Sequence, residues 1–285
     1  MHQLQASSSA TRELDLDRYF ARIGYTGSPR PDLETLRALT ALHPAAIPFE
    51  AVDVLLGRPV DLELAVLQAK LIDGGRGGYC FEQNSLLKGV LGALGFRVEG
   101  LIGRVLWMMP QSARPAPLTH MVLRVTIDGE RWLADVGFGS CVPGAPLRLD
   151  AVGAAQPTRH EVFRLVSQGA WTLLEAQIAE AWQPVYLLSP EPALDVDYAA
   201  ANWYTSTHPE SKFRRELRVA VTNPERRTTL MNDRLTVREA RGGMERRLLG
   251  EPEIAAALVT TFGLRLDAES ARQAAAIAAA AATSH

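Results

Sequence analysis

His120-Met121-Val122-Leu123-Arg124-Val125-Thr126-Ile127-Asp128-Gly129-Glu130-Arg131-Trp132-Leu133-Ala134-Asp135-Val136-Gly137 decides how the middle of this chain folds. Asp128-Gly129 lies between two β-rich runs, a strong hairpin signal because both turn residues must take positive φ. With a two-residue turn, Ile127 pairs with Glu130, Val122 faces Asp135 and His120 faces Gly137. Alternate residues of a strand share a face. Met121, Leu123, Val125, Ile127, Trp132, Ala134 and Val136 therefore form the core face. His120 and Asp135 fall on the other face as diagonal neighbours, about 7–8 Å apart at Cα, with side chains able to meet. One antiparallel hairpin thus joins an imidazole to a carboxylate.

Upstream, Asp73-Gly74-Gly75-Arg76-Gly77-Gly78-Tyr79-Cys80-Phe81-Glu82-Gln83-Asn84 runs into the apolar rhythm of Leu86, Leu87, Val90, Leu91 and Leu94. Glycines let the backbone take positive φ and approach a ligand closely. The free N–H groups and dipole of a first helical turn favour an anion, and a thiolate is one. Cys80 is therefore the candidate nucleophile. Cys141, in Gly139-Ser140-Cys141-Val142-Pro143, has no such setting and reads as an inert buried thiol. A nucleophile needs a base, and the base an orienting group. Of the six histidines, His2 and His285 lie at the ends, and His43 and His160 read as surface turns. His208, in a Thr-His-Pro turn, reads as structural. His120 remains, and with Asp135 it completes a Cys-His-Asp triad.

Arg76-Gly77-Gly78-Tyr79-Cys80-Phe81-Glu82, His120 and Asp135-Val136-Gly137-Phe138-Gly139 together resemble the arylamine N-acetyltransferases of prokaryotic type. Ile47-Pro48-Phe49-Glu50 and Asn202-Trp203-Tyr204-Thr205-Ser206-Thr207-His208-Pro209-Glu210-Ser211 extend the likeness to about residues 15–265, with all five blocks in order. The resemblance implies ping-pong transfer of acetyl from acetyl-CoA, as co-substrate, through an acetyl-cysteine at Cys80 to an arylamine, arylhydrazine or N-hydroxyarylamine. It also implies that Phe138 and Gly139 line the cleft near the coenzyme, and that Phe49, Leu106 and Tyr204 shape the arylamine side. No metal is implied. Two departures stand out: Ala51, where the family usually has Asn, and an alanine-rich tail that the family core does not require. Two other readings keep the triad: an acyltransferase or amide synthase with another acyl donor, and a transglutaminase-like or cysteine-hydrolase enzyme. A third, a binding module without catalysis, has no need of an oriented thiolate.

A chain of 285 residues, 47% hydrophobic, can bury one large core or two to three smaller ones. A net charge of −2 offers no global reason for nucleic-acid or membrane-surface binding. Two cysteines do not make a secreted disulfide framework, and a thiolate enzyme needs a reducing compartment, so the expected location is the cytoplasm. Met1 to Arg12 has no apolar signal-peptide core, and Ala274 to Ala282 is too short to span a bilayer. The glycine loop lacks Gly-Lys-Ser/Thr and follows no clear strand, which argues against a nucleotide P-loop. Arg76 reads as a buried strut for that loop. The expected partners are coenzyme A and a small aromatic amine or hydrazine, with monomer and homodimer both open.

The expected class is α+β: a helical bundle, a central antiparallel β-barrel or sheet, and an α/β lid, with the triad arranged as in cysteine proteases. Helical spacing over residues 16–23 and 33–42, Asp61 as a cap for Leu62 to Ile72, and the Cys80 helix closed by Gly95 make 1–95 the bundle. Residues 96–195 read as strands carrying His120 and Asp135, and 196–266 as the lid, with a hairpin through 229–237 and a short helix near 251–262. Residues 267–285 read as an alanine-rich helix capped by Asp267, without chemistry of its own.

Overall fold

The computed structural model of the protein describes residues 14–110 and 115–282. The stretch read as lacking a signal peptide, together with His2 and His285, lies outside the described residues.

Helix α1, Leu16–Ile23, starts where the Asp15 carboxylate accepts the N–H of Arg18 at 3.0 Å and stops at Gly24, with φ 70°. Asp32 opens α2, Leu33–Ala46, in the same way through Thr35. A side-chain oxygen there satisfies a donor that the helix cannot. Leu42-His43-Pro44 is not a surface turn: α2 runs on through it, and His43 is fully buried. Strand β1, Phe49–Glu50, and α3, Val52–Leu55, follow.

The helix expected from Leu62 starts later. Asp61 caps a turn through Glu63 N–H at 2.9 Å, α4 covers only Leu64–Leu67, and the chain then widens into a π-helix, Gln68–Asp73. π-turns alter where side chains project. Here Lys70 reaches Asp53 at 2.7 Å and Glu82 at 2.6 Å.

Helix α5, Cys80–Ala93, sets Leu86, Leu87, Val90 and Leu91 fully into the core, each stabilising by about 1.5–3 kcal/mol relative to exposure. Gly95, with φ 85°, ends that run.

Eight antiparallel strands curl around a second core. They are β2 (Arg97–Val105), β3 (Leu118–Ile127), β4 (Glu130–Ala134), β5 (Leu147–Arg148), β6 (Gln156–Pro157), β7 (Val162–Gln168), β8 (Trp171–Ile178) and β9 (Ala181–Pro192). Their spatial order is β5-β4-β3-β2-β9-β8-β7-β6. Gln156 of the last strand hydrogen-bonds the backbone of Arg148 in the first, drawing the edges together. The β3–β4 hairpin has the expected register, Ile127 to Glu130, and Asp128 and Gly129 take φ 51° and 81°. The ladder ends at Leu123 opposite Ala134, so the expected pairings of Val122 with Asp135 and His120 with Gly137 are not ladder pairs. Asp135 begins the loop. The hairpin also has two apolar faces: Met121, Leu123 and Trp132 pack on the helices, whereas Val122 and Leu133 enter the barrel with Phe163, Leu174 and Tyr186. Closure of the sheet buries the face that the alternation left open.

Helix α6, Asp195–Thr207, leads to a five-stranded antiparallel sheet in the region expected to form the lid. Its strands are β10 (Arg218–Thr222), β11 (Arg226–Met231), β12 (Arg234–Glu239) and β13 (Met244–Leu248), with β1 added beside β10. A residue pair from the first third thus extends a sheet from the last. Helices α7, Glu251–Thr260, and α8, Ala268–Ala282, cover its far side through Ile254, Leu258, Ala274, Ala275 and Ala278. Asp267 caps α8 through Ser270 N–H at 2.8 Å, as expected.

Candidate active site

Cys80 is the first residue of α5, 4% exposed, and its thiol points to the Thr119 carbonyl at 3.5 Å. The turn before it is stitched to residues 47–50. Gly78 N–H donates to Pro48 O, Glu50 N–H donates to Gly78 O, and the Gln83 side-chain amide donates to the carbonyls of Ile47, Pro48 and Gly78. A Cβ at Gly77 would stand 2.1 Å from Pro48 O. Arg76 is the strut it was expected to be, paired with Glu50 at 2.8 Å and Asp53 at 3.2 Å. Glu50 also accepts the N–H of Val52, so the turn through Ala51 into α3 is held from within.

His120 and Asp135 meet as the hairpin requires, though through the loop rather than the ladder: His120 Nε2–H donates to Asp135 Oδ2 at 2.7 Å. Both are buried. Burial by itself disfavours a charged imidazole, but the Asp135 charge and hydrogen bond, with the Cys80 sulfur adding to them, outweigh it and raise the His120 pKa to about 10. Burial pushes the Asp135 pKa up, and the His120 charge with hydrogen bonds from His120, Asn84 and Gly137 takes it below the usual carboxylate range. Opposite charges in a desolvated site sustain each other. The Phe138 ring stands edge-on to His120 at 5.0 Å, and Tyr186 closes the other side at 4.9 Å.

Sequence reasoning gave no role to three residues that hold this arrangement, Asn84, His43 and Tyr186. Asn84 donates to Met121 O at 2.7 Å and to Asp135 Oδ1 at 3.0 Å, and accepts the N–H of Val136. It lies one helical turn after Cys80, a spacing that puts both on one face. His43 donates from Nε2 to Gln83 Oε1 at 2.6 Å and accepts from the Tyr19 hydroxyl at 3.0 Å. Tyr186 presses against His120 from β9, with its hydroxyl buried beside Asp135 but outside hydrogen-bond geometry. No local pattern marks it. His160, the other histidine read as a surface turn, is half-buried, with Nε2–H donating to Asn223 O at 2.7 Å. Cys141 is buried, and desolvation raises its pKa to about 12, the inert thiol foreseen.

A cavity of about 400 Å³ opens onto Cys80 and His120. Phe49, Phe138 and Tyr204 line it, as expected. Leu106 and Gly139 do not: Val105 and Trp107 take the place of the first, and Gly139, with φ 70°, backs the Phe49 ring, which a Cβ would meet at 2.9 Å. Among the described residues, no cluster of three or more His, Cys, Asp or Glu could hold a metal, and no helix is long and apolar enough to cross a membrane.

A sequence profile of the N-acetyltransferase family matches residues 32–271. An arylamine N-acetyltransferase of Mycolicibacterium smegmatis is 45% identical over 89% of this chain and 93% of its own. The chain belongs to the arylamine N-acetyltransferase family. Escherichia coli has a member 38% identical over 88% of this chain and 89% of its own. The solved structure of Mycobacterium marinum arylamine N-acetyltransferase in complex with CoA superposes with a TM-score of 0.88, 39% identity, and coverage of 92% of this chain and 98% of that one. Membership of this arylamine N-acetyltransferase family makes the protein an enzyme of acyl transfer, with the α+β fold of those structures.

Proposed function

We propose that this protein moves an acetyl group from acetyl-CoA to the nitrogen of an arylamine or arylhydrazine, or to the oxygen of an N-hydroxyarylamine, through an acetyl-Cys80 intermediate. The observation that carries this reading is the His120–Asp135 bond of 2.7 Å beside Cys80, at the wall of a cavity lined by aromatic side chains.

In the first half-reaction the Cys80 sulfur, its proton held by His120, attacks the thioester carbonyl. The C–S bond forms as the carbonyl electron pair moves onto oxygen, where the backbone N–H of Cys80 at the start of α5 is a donor. Collapse expels the coenzyme thiolate, which takes the proton from His120. In the second half the amine lone pair attacks acetyl-Cys80, His120 receives the N–H proton, and Cys80 leaves as the thiolate. Asp135 keeps the imidazole in one orientation and balances its charge throughout. Phe49, Phe138 and Tyr204 offer flat apolar walls for an aromatic acceptor. A free thiol nucleophile of this kind works in a reducing compartment, which points to the cytoplasm.

Intact-protein mass spectrometry tests this. Acetyl-CoA should add one acetyl group to the wild-type protein and none to Cys80→Ala, and an aminobenzoate or arylhydrazine should remove it. An adduct that decays equally fast in water alone would favour hydrolysis over transfer. No adduct would end the acetyl-CoA reading.

A further inference from the structure

Gln83 carries a side chain that the acetyl-transfer steps do not use. It is fully buried in the first turn of α5, just after Cys80. Its amide nitrogen lies 3.1 Å from Ile47 O, 2.9 Å from Pro48 O and 3.1 Å from Gly78 O. A primary amide has only two N–H donors, and here three carbonyls converge on them. Two of these carbonyls belong to the residues just before Phe49, and the third to the turn just before Cys80. The orientation of the amide is enforced from behind. The Tyr19 hydroxyl, kept protonated by burial, donates to His43 Nδ1 at 3.0 Å. The neutral ring therefore carries its proton on Nε2 and gives it to Gln83 Oε1 at 2.6 Å. A flipped amide would set N–H against N–H on one side and oxygen against three oxygens on the other. All three side chains are buried, so removing one member leaves an unpaired polar group inside the protein.

We infer that Gln83, oriented by His43 and Tyr19, is a positioning residue that fixes the spacing of Phe49 from Cys80 and thereby the preference for aromatic acceptors. This rests on the acetyl-CoA reading and extends it to acceptor choice. Phe49 lines the cavity and follows Pro48 directly, while Gly78 meets Phe49 in a short parallel bridge. One amide therefore bonds both ends of the span that separates the aromatic wall from the nucleophile. In the second half-reaction the acceptor nitrogen must come within about 3–3.5 Å of the acetyl carbon. An aromatic acceptor has to meet that distance while its ring rests on Phe49, so it is sensitive to the spacing. Hydrazine has no ring to place. It attacks acetyl-Cys80 by the same steps, becoming acetylhydrazine as His120 takes the N–H proton and Cys80 leaves as the thiolate, wherever Phe49 stands.

The test compares kcat/KM for phenylhydrazine and for hydrazine, with acetyl-CoA as donor, in the wild type and in Gln83→Met, His43→Phe, His43→Gln and Tyr19→Phe. In a ping-pong cycle this constant reports the second half-reaction alone. Because both acceptors meet the same enzyme preparation, their ratio is independent of the folded fraction, and comparing ratios between variants cancels the acceptors' own reactivities. Gln83→Met keeps the length of the side chain but not its donors, and should lower the ratio of phenylhydrazine to hydrazine about tenfold. His43→Phe, a ring without a donor, should do the same. His43→Gln, which keeps an N–H for Gln83 Oε1, should retain most of the ratio. Tyr19→Phe, which removes a single oxygen, should lower it about threefold. Equal losses for both acceptors, with the ratio unaltered in Gln83→Met and His43→Phe, assign Gln83 to the fold alone and overturn the inference while leaving acetyl transfer intact. Failure of acetyl-CoA to acetylate wild-type Cys80 would instead sink the reading on which it rests.

Discussion

Asp135 makes three contacts, each from a different part of the chain: His120 from β3, Asn84 from α5 and the N–H of Gly137 in its own loop. Removing its charge while keeping its shape should leave the fold and remove the electrostatic partner of His120. Asp135→Asn is expected to lower kcat/KM by roughly 10²- to 10⁴-fold with near-ultraviolet dichroism unchanged; unaltered rates in the folded variant would refute its orienting role. The two buried histidines act in opposite directions on stability. His120 has its pKa raised to about 10, so the stability it contributes is full below the model-peptide value of 6.5 and is lost as pH rises toward 10. His43 is held neutral: burial, first, and then the nearby Arg22 charge outweigh the Gln83 bond and lower its pKa to about 4. Its contribution is full above 6.5 and is lost as pH falls toward 4, a loss of about 3 kcal/mol. Denaturant midpoints measured from pH 4 to 10 should therefore peak near 6–7, and His43→Gln should flatten the acid limb alone.

At the scale of elements, the site depends on how closely the hairpin loop approaches the start of α5. A Cβ on Gly137 would lie 2.7 Å from the Cys80 Cα and 2.8 Å from Asn84 Nδ2. The restriction is packing rather than backbone strain, since Gly137 is not among the positive-φ residues. Gly137→Ala should push the loop off the helix, reducing both kcat/KM and thermal midpoint. Overpacking of this kind typically costs about 1–3 kcal/mol. An active, fully stable alanine variant would show that the helix and loop can separate without consequence. The hairpin was legible because its turn is local chemistry, and the Cys80 helix because glycines and an apolar period mark its start. The late start of α4 was not legible. Asp61 is a good cap by type, but the π-helix after Leu67 depends on Lys70 meeting Asp53 and Glu82, partners brought in from other segments.

Across the whole molecule, the α-helical tail is part of a core rather than an appendage. Ala274, Ala275 and Ala278 are fully buried against α7 and the lid, and Arg58 reaches from the helical base to the Ser270 hydroxyl at 2.7 Å. Ending the chain at Leu266 partly exposes Ile254 and Leu258, which should cost about 2–3 kcal/mol and lower the melting temperature by about 5–10 °C. Turnover at low temperature should change little, because no α8 residue lines the reaction cavity. Calorimetry with activity assays on the truncated chain separates the two effects; loss of turnover at full stability would assign the tail to the site.

The sequence by itself determined the glycine-loop setting of Cys80, the pairing of an imidazole with a carboxylate, and the succession of helices, antiparallel strands and a final mixed region. Those follow from turn chemistry, caps and periodicity, which act within a few residues. Only the tertiary structure decided what surrounds them. Leu106 lost its place in the cavity to Val105 and Trp107, because strand register and not nearness in sequence chooses the side chain that faces a cleft. His43 became a buried partner of Gln83 because α2 and α5 pack together. Arg234, Arg238 and Arg246 line the cavity because two strands distant from Cys80 in sequence, β12 and β13, fold over it. Contacts between segments are set by the packing of whole faces, and no local pattern encodes which faces meet.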